Sequence, residues 1–142
     1  MEEVRRCMKS DQFAVHSNIE LLEVSLGHAK AKMTLQPHHL NGLNSVHGGA
    51  IFTLADFTFA AAANSHGTVA VAINVNITFM KAASKGTLWA EAREASKNFK
   101  IGVYVVEVKD DTGDLVAQFQ GLAYRKKEAL PKLPASGGHP NH

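Results

Sequence analysis

Charged side chains are almost absent from one third of this 142-residue sequence. The 48 residues from Met33 to Met80 contain one charged residue, Asp56, although a stretch of that length in an average globular protein holds roughly ten. Charged residues are rarely buried without a partner, so the lack of charge predicts that this segment lies inside the fold. Asp56 is then a carboxylate in apolar surroundings, and its presence requires an explanation.

Cysteine, long apolar runs and excess charge are also scarce. The single cysteine, Cys7, excludes an internal disulfide and favours a reducing compartment. No run approaches the ~18 apolar residues of a membrane-spanning helix, and residues 1–10 lack the apolar core of an export signal. A net charge of +2 is too small to predict nucleic acid as a partner. We therefore expect a soluble cytoplasmic protein that binds neither membrane nor nucleic acid.

The chain has the length of a single domain. We expect this domain to span residues 1–129, because the sequence from 130 onward is rich in proline and glycine and has little to bury. The tail, residues 130–142, is therefore predicted to be disordered.

One segment predicts a long helix. Residues 46–64 are rich in alanine, contain no proline and are followed by the stop signal Asn64 to Gly67. Apolar residues occupy nearly every angular position around this helix, which is typical of a helix that is buried on all sides.

Most other segments alternate between apolar and polar residues with the period of two that is typical of β-strands. Two of them, at 19–26 and 29–35, are separated by Gly27 and predict a hairpin. Four more strands are predicted at 69–79, 87–97, 101–109 and 115–125. Antiparallel strands with one buried helix predict an α+β fold in which a curved sheet wraps around the helix.

The start of the predicted helix, His47-Gly48-Gly49, is a candidate for binding a negative charge. Amides in the first turn of a helix have no partner within the helix, and they lie at the positive end of its dipole. Glycines also allow a ligand to approach the backbone closely. These features predict a site for a developing oxyanion. The alternative is that the glycines only relieve crowding where the loop enters the helix.

Asp56 lies in the middle of the same helix. Aspartate is a poor helix former, and an unpaired carboxylate in apolar surroundings is either destabilising or has a raised pKa. A purely structural role would need a partner such as Asn64 or a backbone donor. Unpaired carboxylates in apolar surroundings are common as nucleophiles and general bases, so we favour a catalytic role for Asp56.

The spacing of these residues has a consequence for assembly. Asp56 follows Gly48 by eight residues, which is about 12 Å along a helix axis. The two residues of one chain therefore cannot both touch one reacting carbon. If both are catalytic, they come from different subunits. Two helices that cross near a two-fold axis would then form two equivalent sites in a dimer.

Several short motifs resemble those of one enzyme family. Asn41, His47-Gly48-Gly49 and Leu54-Ala55-Asp56 are followed by Asn76-Ile77-Thr78-Phe79-Met80-Lys81. In this combination they are similar to the phenylacetate-pathway (PaaI-like) group of hotdog-fold acyl-CoA thioesterases, over about residues 18–127. The resemblance implies a hotdog fold, in which a curved antiparallel sheet wraps around one long helix. It also implies hydrolysis of an aryl- or medium-chain acyl-CoA to the free acid and CoA.

The resemblance further implies roles for the site residues. Asp56 would be the nucleophile or general base, and the Gly48 amide would polarise the thioester carbonyl from the partner subunit. Asn41 would help to hold the carbonyl or the water, His47 would orient the loop, and Gly49 would contact the substrate. Members of this group usually form tetramers from two dimers. This chain is therefore expected to form a homodimer, and two such dimers are expected to form a homotetramer. No cofactor is expected.

Two positions depart from the family pattern. Ala72 stands where some relatives have serine or threonine to position the lytic water, and Asn74 on the same strand is the expected substitute. Lys81-Ala82 stands where relatives often have Arg-Pro. The candidates for binding the CoA phosphates are Lys81, Lys97, Lys100, Arg125, Lys126 and Lys127. The alternative for each of them is an ordinary surface residue.

Other functions fit the sequence less well. His38, His39 and His47 have no nearby cysteine or carboxylate, so zinc is a weak interpretation and no metal is expected. A hotdog dehydratase or hydratase would need a histidine with an acidic partner in its own motif, which is not found. A catalytically silent acyl-CoA-binding or sensing module is the alternative from another class. The short segment before the first predicted strand leaves no room there for a DNA-binding domain.

Overall fold

The computed structural model describes residues 1–132. Its helices are α1 (Glu2–Lys9), α2 (Gln12–His16) and α3 (Gly48–Ala63), with 3-10 turns at Pro37–His39 and Asn64–His66. Its strands are β1 (Ile19–Ser25), β2 (His28–Thr34), β3 (Thr68–Phe79), β4 (Thr87–Lys97), β5 (Ile101–Lys109) and β6 (Leu115–Ala129). The predicted long helix and the six predicted strands are therefore all present, and β6 is longer than predicted.

The six strands form one antiparallel sheet in the order β1-β2-β4-β5-β6-β3. The β1–β2 hairpin turns at Gly27, where φ is +68°, a conformation that glycine adopts without the strain of other residues. The sheet curves around α3, which contacts every one of its strands. The predicted α+β hotdog arrangement is confirmed.

Helix α3 forms the centre of the core, but one strip of it is not covered. Leu54, Ala55 and Ala61 are fully buried, whereas Gly49 is exposed and Thr53, Asp56 and Ala60 are only partly buried. These partly covered positions recur every three or four residues, so they lie on one face of the helix. The prediction of burial on all sides is therefore wrong for this strip, because the sheet of a single chain covers only part of the helix circumference.

Strand β3 forms one edge of the sheet. It pairs with β6 on one side, so the backbone groups of its other side have no neighbouring strand within residues 1–132. Apolar side chains at this edge are exposed, among them Val71, Ile73 and Phe79. This part of the uncharged segment is not in the interior of one chain, contrary to the prediction. Exposed edges with apolar residues are typical of surfaces that pair with another chain.

The end of the described chain packs against the domain. Leu130 is buried, and its N–H donates to the carbonyl of Gly67 at 3.0 Å. Most of the tail predicted at 130–142 lies outside the described residues, which end at 132. Within residues 1–132, no helix has both the length and the apolar character needed to cross a membrane.

Candidate functional site

The loop that enters α3 is organised by Asn41. Its side-chain oxygen Oδ1 accepts hydrogen bonds from the backbone N–H groups of Leu43 (2.9 Å) and Ser45 (3.2 Å). Leu40 and Val46 form an isolated β-bridge that closes this loop. Because Oδ1 is used within the loop, the amide Nδ2 is the polar group with which Asn41 could contact a substrate.

His47 is the N-cap of α3. Its ring Nδ1 accepts a hydrogen bond from the N–H of Gly49 at 2.8 Å, and its carbonyl accepts from Ala50 and Ile51 at 2.9 and 3.2 Å. A Cβ at Gly49 would lie 3.0 Å from Nδ1, so a larger residue would require the His47 ring to shift. Orienting the loop remains the predicted role of His47, and the Gly49 N–H, predicted to contact the substrate, is occupied by the cap.

The N–H of Gly48 differs from its neighbours because it has no acceptor among residues 1–132. Gly48 lines a surface concavity of about 410 Å³ together with Ser45, Phe79 and Met80. A Cβ at Gly48 would lie 3.2 Å from Cζ of Phe79, so the backbone is in close contact with that ring. The structure thus leaves one unpaired helix-terminal amide in a concavity, which is the geometry that an oxyanion donor needs.

His39 supports this loop and was not assigned this role from the sequence. Its side chain is almost fully buried, with 4% exposed. Nδ1 accepts from the N–H of Gln36 at 2.9 Å, and Nε2 lies 2.8 Å from the carbonyl oxygen of Ser17. The carbonyl of His39 in turn accepts from the N–H of His47 at 2.7 Å. Within residues 1–132, no group of three potential ligand side chains forms a metal site.

The protonation of His39 is expected to affect stability. Burial lowers the pKa of His39 below its ordinary value of 6.5, so the folded state favours the neutral ring, whose Nδ1 can accept. The contribution of the neutral His39 ring to the free energy of unfolding is complete above pH 6.5. It is lost as the pH falls below 6.5 toward the lowered pKa of His39. The Tm of His39→Asn should therefore lie furthest below that of the wild type at neutral pH. The difference in Tm should be smaller in mild acid.

The control for this prediction is the exposed His16 at the end of α2. Thermal unfolding of His16→Asn should follow the wild type at every pH, because no buried hydrogen bond depends on that ring. A difference between His39→Asn and the wild type that does not change with pH would contradict the prediction.

Asp56 is a half-buried carboxylate without a partner. Among residues 1–132 it forms no hydrogen bond and no salt bridge, and Asn64, the suggested structural partner, instead donates to the carbonyl of Ala60 at 2.8 Å. Asn64 also accepts from the N–H of Ala70 at 2.8 Å. Burial raises the pKa of Asp56, and the negative charge of Asp11 raises it further. Both properties suit a general base or nucleophile.

A second concavity, of about 330 Å³, contains Asp56. Its walls include Phe13 from the exposed side of α2 and Phe52 from α3. Asp11 lines the same concavity and caps α2, since its Oδ1 accepts from the N–H of Ala14 at 3.0 Å. The site thus combines two carboxylates with aromatic walls, and neither Asp11 nor Phe13 was identified from the sequence.

Gly48 and Asp56 of one chain do not form a common site. The concavity at Gly48 and the concavity at Asp56 share no lining residue. The two residues are eight positions apart on α3, which corresponds to about 12 Å. A single chain therefore holds two incomplete halves of the predicted site.

Of the remaining predicted site residues, Lys81 lines the concavity at Gly48, and the others line neither concavity. Ala72 and Asn74 are on the exposed edge strand β3. Nζ of Lys81 lies 2.7 Å from a carboxylate oxygen of both Asp110 and Asp114. The hydrogen bonds to Asp110 and Asp114 raise the pKa of Lys81. The charge of Lys81 is thus already paired with the β5–β6 turn.

The other predicted basic residues lie around the β4–β5 hairpin and the end of β6. The N–H of Arg125 donates to the carbonyl of Lys100 at 2.6 Å. Arg125 is paired in register with Ala70, while Ala117 is paired with Phe79 near Gly48. Nine residues along a strand span about 30 Å, so this basic group is far from Gly48 of the same chain. The group comprises Lys97, Lys100, Arg125, Lys126 and Lys127.

Comparison with known sequences identifies relatives of this chain. Residues 43–117 match the sequence profile of the Thioesterase superfamily. A protein from Archaeoglobus fulgidus is 44% identical over 124 residues, which cover 87% of this chain and 80% of the relative. The acyl-coenzyme A thioesterase PaaI of Escherichia coli K12 is 36% identical over 118 residues, which cover 82% of this chain and 84% of PaaI.

Solved structures share the fold. The structure of E. coli PaaI matches with a TM-score of 0.87 at 33% identity and covers 90% of this chain and 94% of PaaI. A Streptococcus mutans protein solved with bound acetyl-CoA matches with a TM-score of 0.75 at 25% identity, covering 79% of this chain and 91% of that protein. The profile spans the segment from the site loop to β6, and the relatives cover most of both chains. The chain therefore belongs to the thioesterase superfamily, as a PaaI-like thioester hydrolase of the hotdog fold.

Proposed function

We propose that this protein hydrolyses an acyl-CoA thioester to the free acid and CoA. Its relative PaaI is an acyl-CoA thioesterase, and the S. mutans neighbour was solved with acetyl-CoA. The observation that carries the proposal is that α3 holds two groups without a partner among residues 1–132, the carboxylate of Asp56 and the helix-terminal amide of Gly48. These are the base or nucleophile and the oxyanion donor that thioester hydrolysis requires.

In the proposed mechanism, Asp56 removes a proton from water while the water oxygen bonds to the thioester carbonyl carbon. The carbonyl oxygen becomes an oxyanion that accepts a hydrogen bond from the Gly48 N–H at the positive end of the α3 dipole. Collapse of this intermediate breaks the carbon–sulfur bond, and the thiolate of CoA takes the proton from Asp56. In the alternative course, Asp56 itself attacks the carbon, and the carbon–sulfur bond breaks to release the thiolate of CoA. Water then cleaves the resulting anhydride to the free acid and the Asp56 carboxylate, and the thiolate takes the proton that this releases.

The proposal requires two chains for each site, because the two halves are separate within one chain. The exposed edge of β3 supports antiparallel pairing with the same strand of a second copy, which would continue the sheet across a two-fold axis. This pairing would cover the exposed apolar residues Val71 and Ile73. It would also bring Asp56 of one chain toward Gly48 of the other. We further propose that two such dimers form a homotetramer in the cytoplasm.

The acyl group is proposed to bind in the concavity beside Asp56. Phe13 and Phe52 supply apolar walls there, which suits an aryl or medium-length acyl chain. Asn74 is the proposed residue for positioning water in place of Ala72, because both lie on the edge strand that would face the partner chain. The amide of Asn41 is proposed to contact the carbonyl or the water.

The proposal is tested by a thiol-release screen over aryl, short and long acyl-CoA thioesters. Aryl- and medium-chain substrates should be hydrolysed with a higher kcat/KM than acetyl-CoA. Tight binding of acyl-CoA without release of CoA would overturn the proposal and favour the silent acyl-CoA-binding module.

Asp11→Asn is expected to shift the acid limb of the kcat/KM profile to lower pH. Asp11 raises the pKa of Asp56, so without that charge Asp56 loses its proton at lower pH. Asparagine caps a helix as well as aspartate does, and the hydrogen bond from Ala14 is retained. Kinetic profiles through the acidic range at low ionic strength measure the shift. High salt should reduce it, since the Debye length falls to about 3 Å at 1 M. An acid limb at the wild-type position would contradict the prediction.

A further inference from the structure

The tip of the β4–β5 hairpin carries an aromatic side chain that packs against little of the protein. Phe99 is 79% exposed. The two other strongly exposed phenylalanines, Phe13 and Phe79, line the concavities of the candidate site. Phe99 lines neither of them. Exposure of a large aromatic ring gives up the free energy of burial, so folding of the single chain does not explain this position.

The hairpin tip holds Phe99 in a defined place. Oδ1 of Asn98 accepts from the N–H groups of Lys100 and Ile101, both at 2.8 Å. The N–H of Asn98 donates to the carbonyl of Ile101 at 2.9 Å, and its carbonyl accepts from Nη1 of Arg125 at 2.6 Å. Hydrogen bonds therefore fix the backbone on both sides of Phe99, and the ring projects from an ordered turn.

Basic residues lie on the hairpin and on the neighbouring strand. Nζ of Lys100 lies 5.7 Å from the centroid of the Phe99 ring, Lys97 ends the preceding strand, and Arg125 is bonded to the hairpin. Lys126 follows Arg125 on β6. Within residues 1–132, none of these four cations forms a salt bridge, in contrast to Lys81. An exposed aromatic face with unpaired cations is a typical combination for binding a nucleotide.

We propose that this surface, Phe99 with Lys97, Lys100, Arg125 and Lys126, binds the nucleotide of the CoA thioester, with the adenine ring stacked on Phe99. The four cations bind the phosphates, for which arginine and lysine are the usual ligands. The inference rests on the proposed function, and it adds the residue that recognises the base. Stacking on an aromatic side chain is a general means of holding a base, because every base has a flat π-face.

The two-chain site explains how a surface far from Gly48 can serve the same substrate. In one chain, Arg125 pairs with Ala70 at the opposite end of β3 from Phe79. Antiparallel pairing of two β3 edges brings the Ala70 end of one chain to the Phe79 end of the other. The chain that provides Asp56 then also provides Phe99, while its partner provides Gly48. The thioester extends from the carbonyl site along the subunit boundary to the hairpin.

The experiment compares Phe99→Ala on two substrates with the same acyl group, an acyl-CoA and the acyl thioester of N-acetylcysteamine, which has no nucleotide. Loss of one stacked base should raise KM for the acyl-CoA at least roughly fivefold. The kinetic constants for the N-acetylcysteamine thioester should not change. Phe99→Trp should keep the KM of the wild type or lower it.

The matched control is Leu26→Ala. Leu26 is another strongly exposed apolar residue at a hairpin turn, between β1 and β2, and it is far in sequence from the proposed nucleotide surface. This variant should leave both substrates unaffected. It shows whether truncation of an exposed apolar side chain at a turn is sufficient to change KM.

Two results would overturn the inference: an unchanged KM for the acyl-CoA in Phe99→Ala, or an equal rise for both substrates. Calorimetric binding of CoA and of pantetheine separates this inference from the proposed function. If the wild type hydrolyses neither thioester, the proposed function fails. Weaker binding of CoA, but not of pantetheine, to Phe99→Ala would still support the nucleotide surface, and equal binding of CoA to both proteins would reject it.

Discussion

Asp56→Asn is expected to reduce kcat for acyl-CoA hydrolysis by at least about 10³-fold while the protein remains folded, since a positioned base or nucleophile accounts for an effect of roughly this size. Asparagine has almost the same shape as aspartate but can neither accept the proton of water nor attack the carbonyl as an anion. Thiol release measures the loss of turnover. Size-exclusion chromatography and thermal unfolding measure whether the assembly is intact.

The same substitution should raise thermal stability. Asp56 has no partner among residues 1–132, and burial raises its pKa, so its charged form is unfavourable in the folded state. A neutral amide removes that cost. Glu107→Gln is the same carboxylate-to-amide change at an exposed position on β5. It should alter neither activity nor stability, because its ion pair with Lys109 is long (3.9 Å) and exposed and such pairs contribute little. Retained hydrolysis of aryl- and medium-chain acyl-CoA by Asp56→Asn would contradict the role of Asp56 as base or nucleophile.

The second large effect on kcat is expected at Gly48. Two substitutions there distinguish the effect of losing the N–H from the effect of adding a side chain. Proline is favoured at the first position of a helix, and the preceding His47 has the extended backbone (ψ 135°) that proline requires of its neighbour. Gly48→Pro therefore removes the amide hydrogen with little change to α3. Gly48→Ala adds the same Cβ against Phe79 but keeps the N–H.

Gly48→Pro should have a kcat roughly 10²- to 10³-fold below that of Gly48→Ala, which is the effect of removing one oxyanion donor. Both variants carry the Cβ that contacts Phe79, so the difference between them reports the loss of the N–H together with the ring carbon that replaces its hydrogen. The measurement is kcat in the thiol-release assay, with helix content by circular dichroism as the folding control. Equal kcat values for the two variants would show that the Gly48 amide does not stabilise the oxyanion.

Mixing the two inactive proteins tests whether the site is shared. In a mixed dimer of Asp56→Asn and Gly48→Pro chains, one site receives both defects and the other receives Asp56 and Gly48 intact. Random reassembly of equal amounts should restore about a quarter of the wild-type activity, since half of the dimers are mixed and each has one of two sites. Activity no greater than that of the separate proteins would mean that the catalytic residues come from one chain.

The secondary structure was predictable because it depends on local patterns. Alternation of period two marked the six strands, and the alanine-rich segment without proline marked α3. Asp56 and Gly48 were also identifiable, since a lone carboxylate in an uncharged segment and a glycine pair at a helix start are visible in the order of residues. The spacing of the two residues also predicted that, if both are catalytic, they come from two chains.

The neighbours of these residues were not predictable in the same way. The lack of charge around His39 predicted burial, but not that its ring would contact Gln36 and Ser17 while its carbonyl accepts from His47. Asp11 reaches the concavity of Asp56 only because α2 packs beside α3. Lys81 lines the concavity at Gly48, but the sequence did not show that its charge is paired with Asp110 and Asp114 of the β5–β6 turn.

The sequence by itself therefore determined the elements, the catalytic candidates and the distance that separates them, because helix rise and strand period are properties of the local backbone. The tertiary structure decided that β3 is an edge strand within residues 1–132, that a strip of α3 containing Asp56 is only partly covered, and that the Gly48 amide has no acceptor among these residues. These features depend on which segments distant in the chain pack together. Such contacts arise from the balance of burial and hydrogen bonding over the whole domain, and no local pattern encodes them.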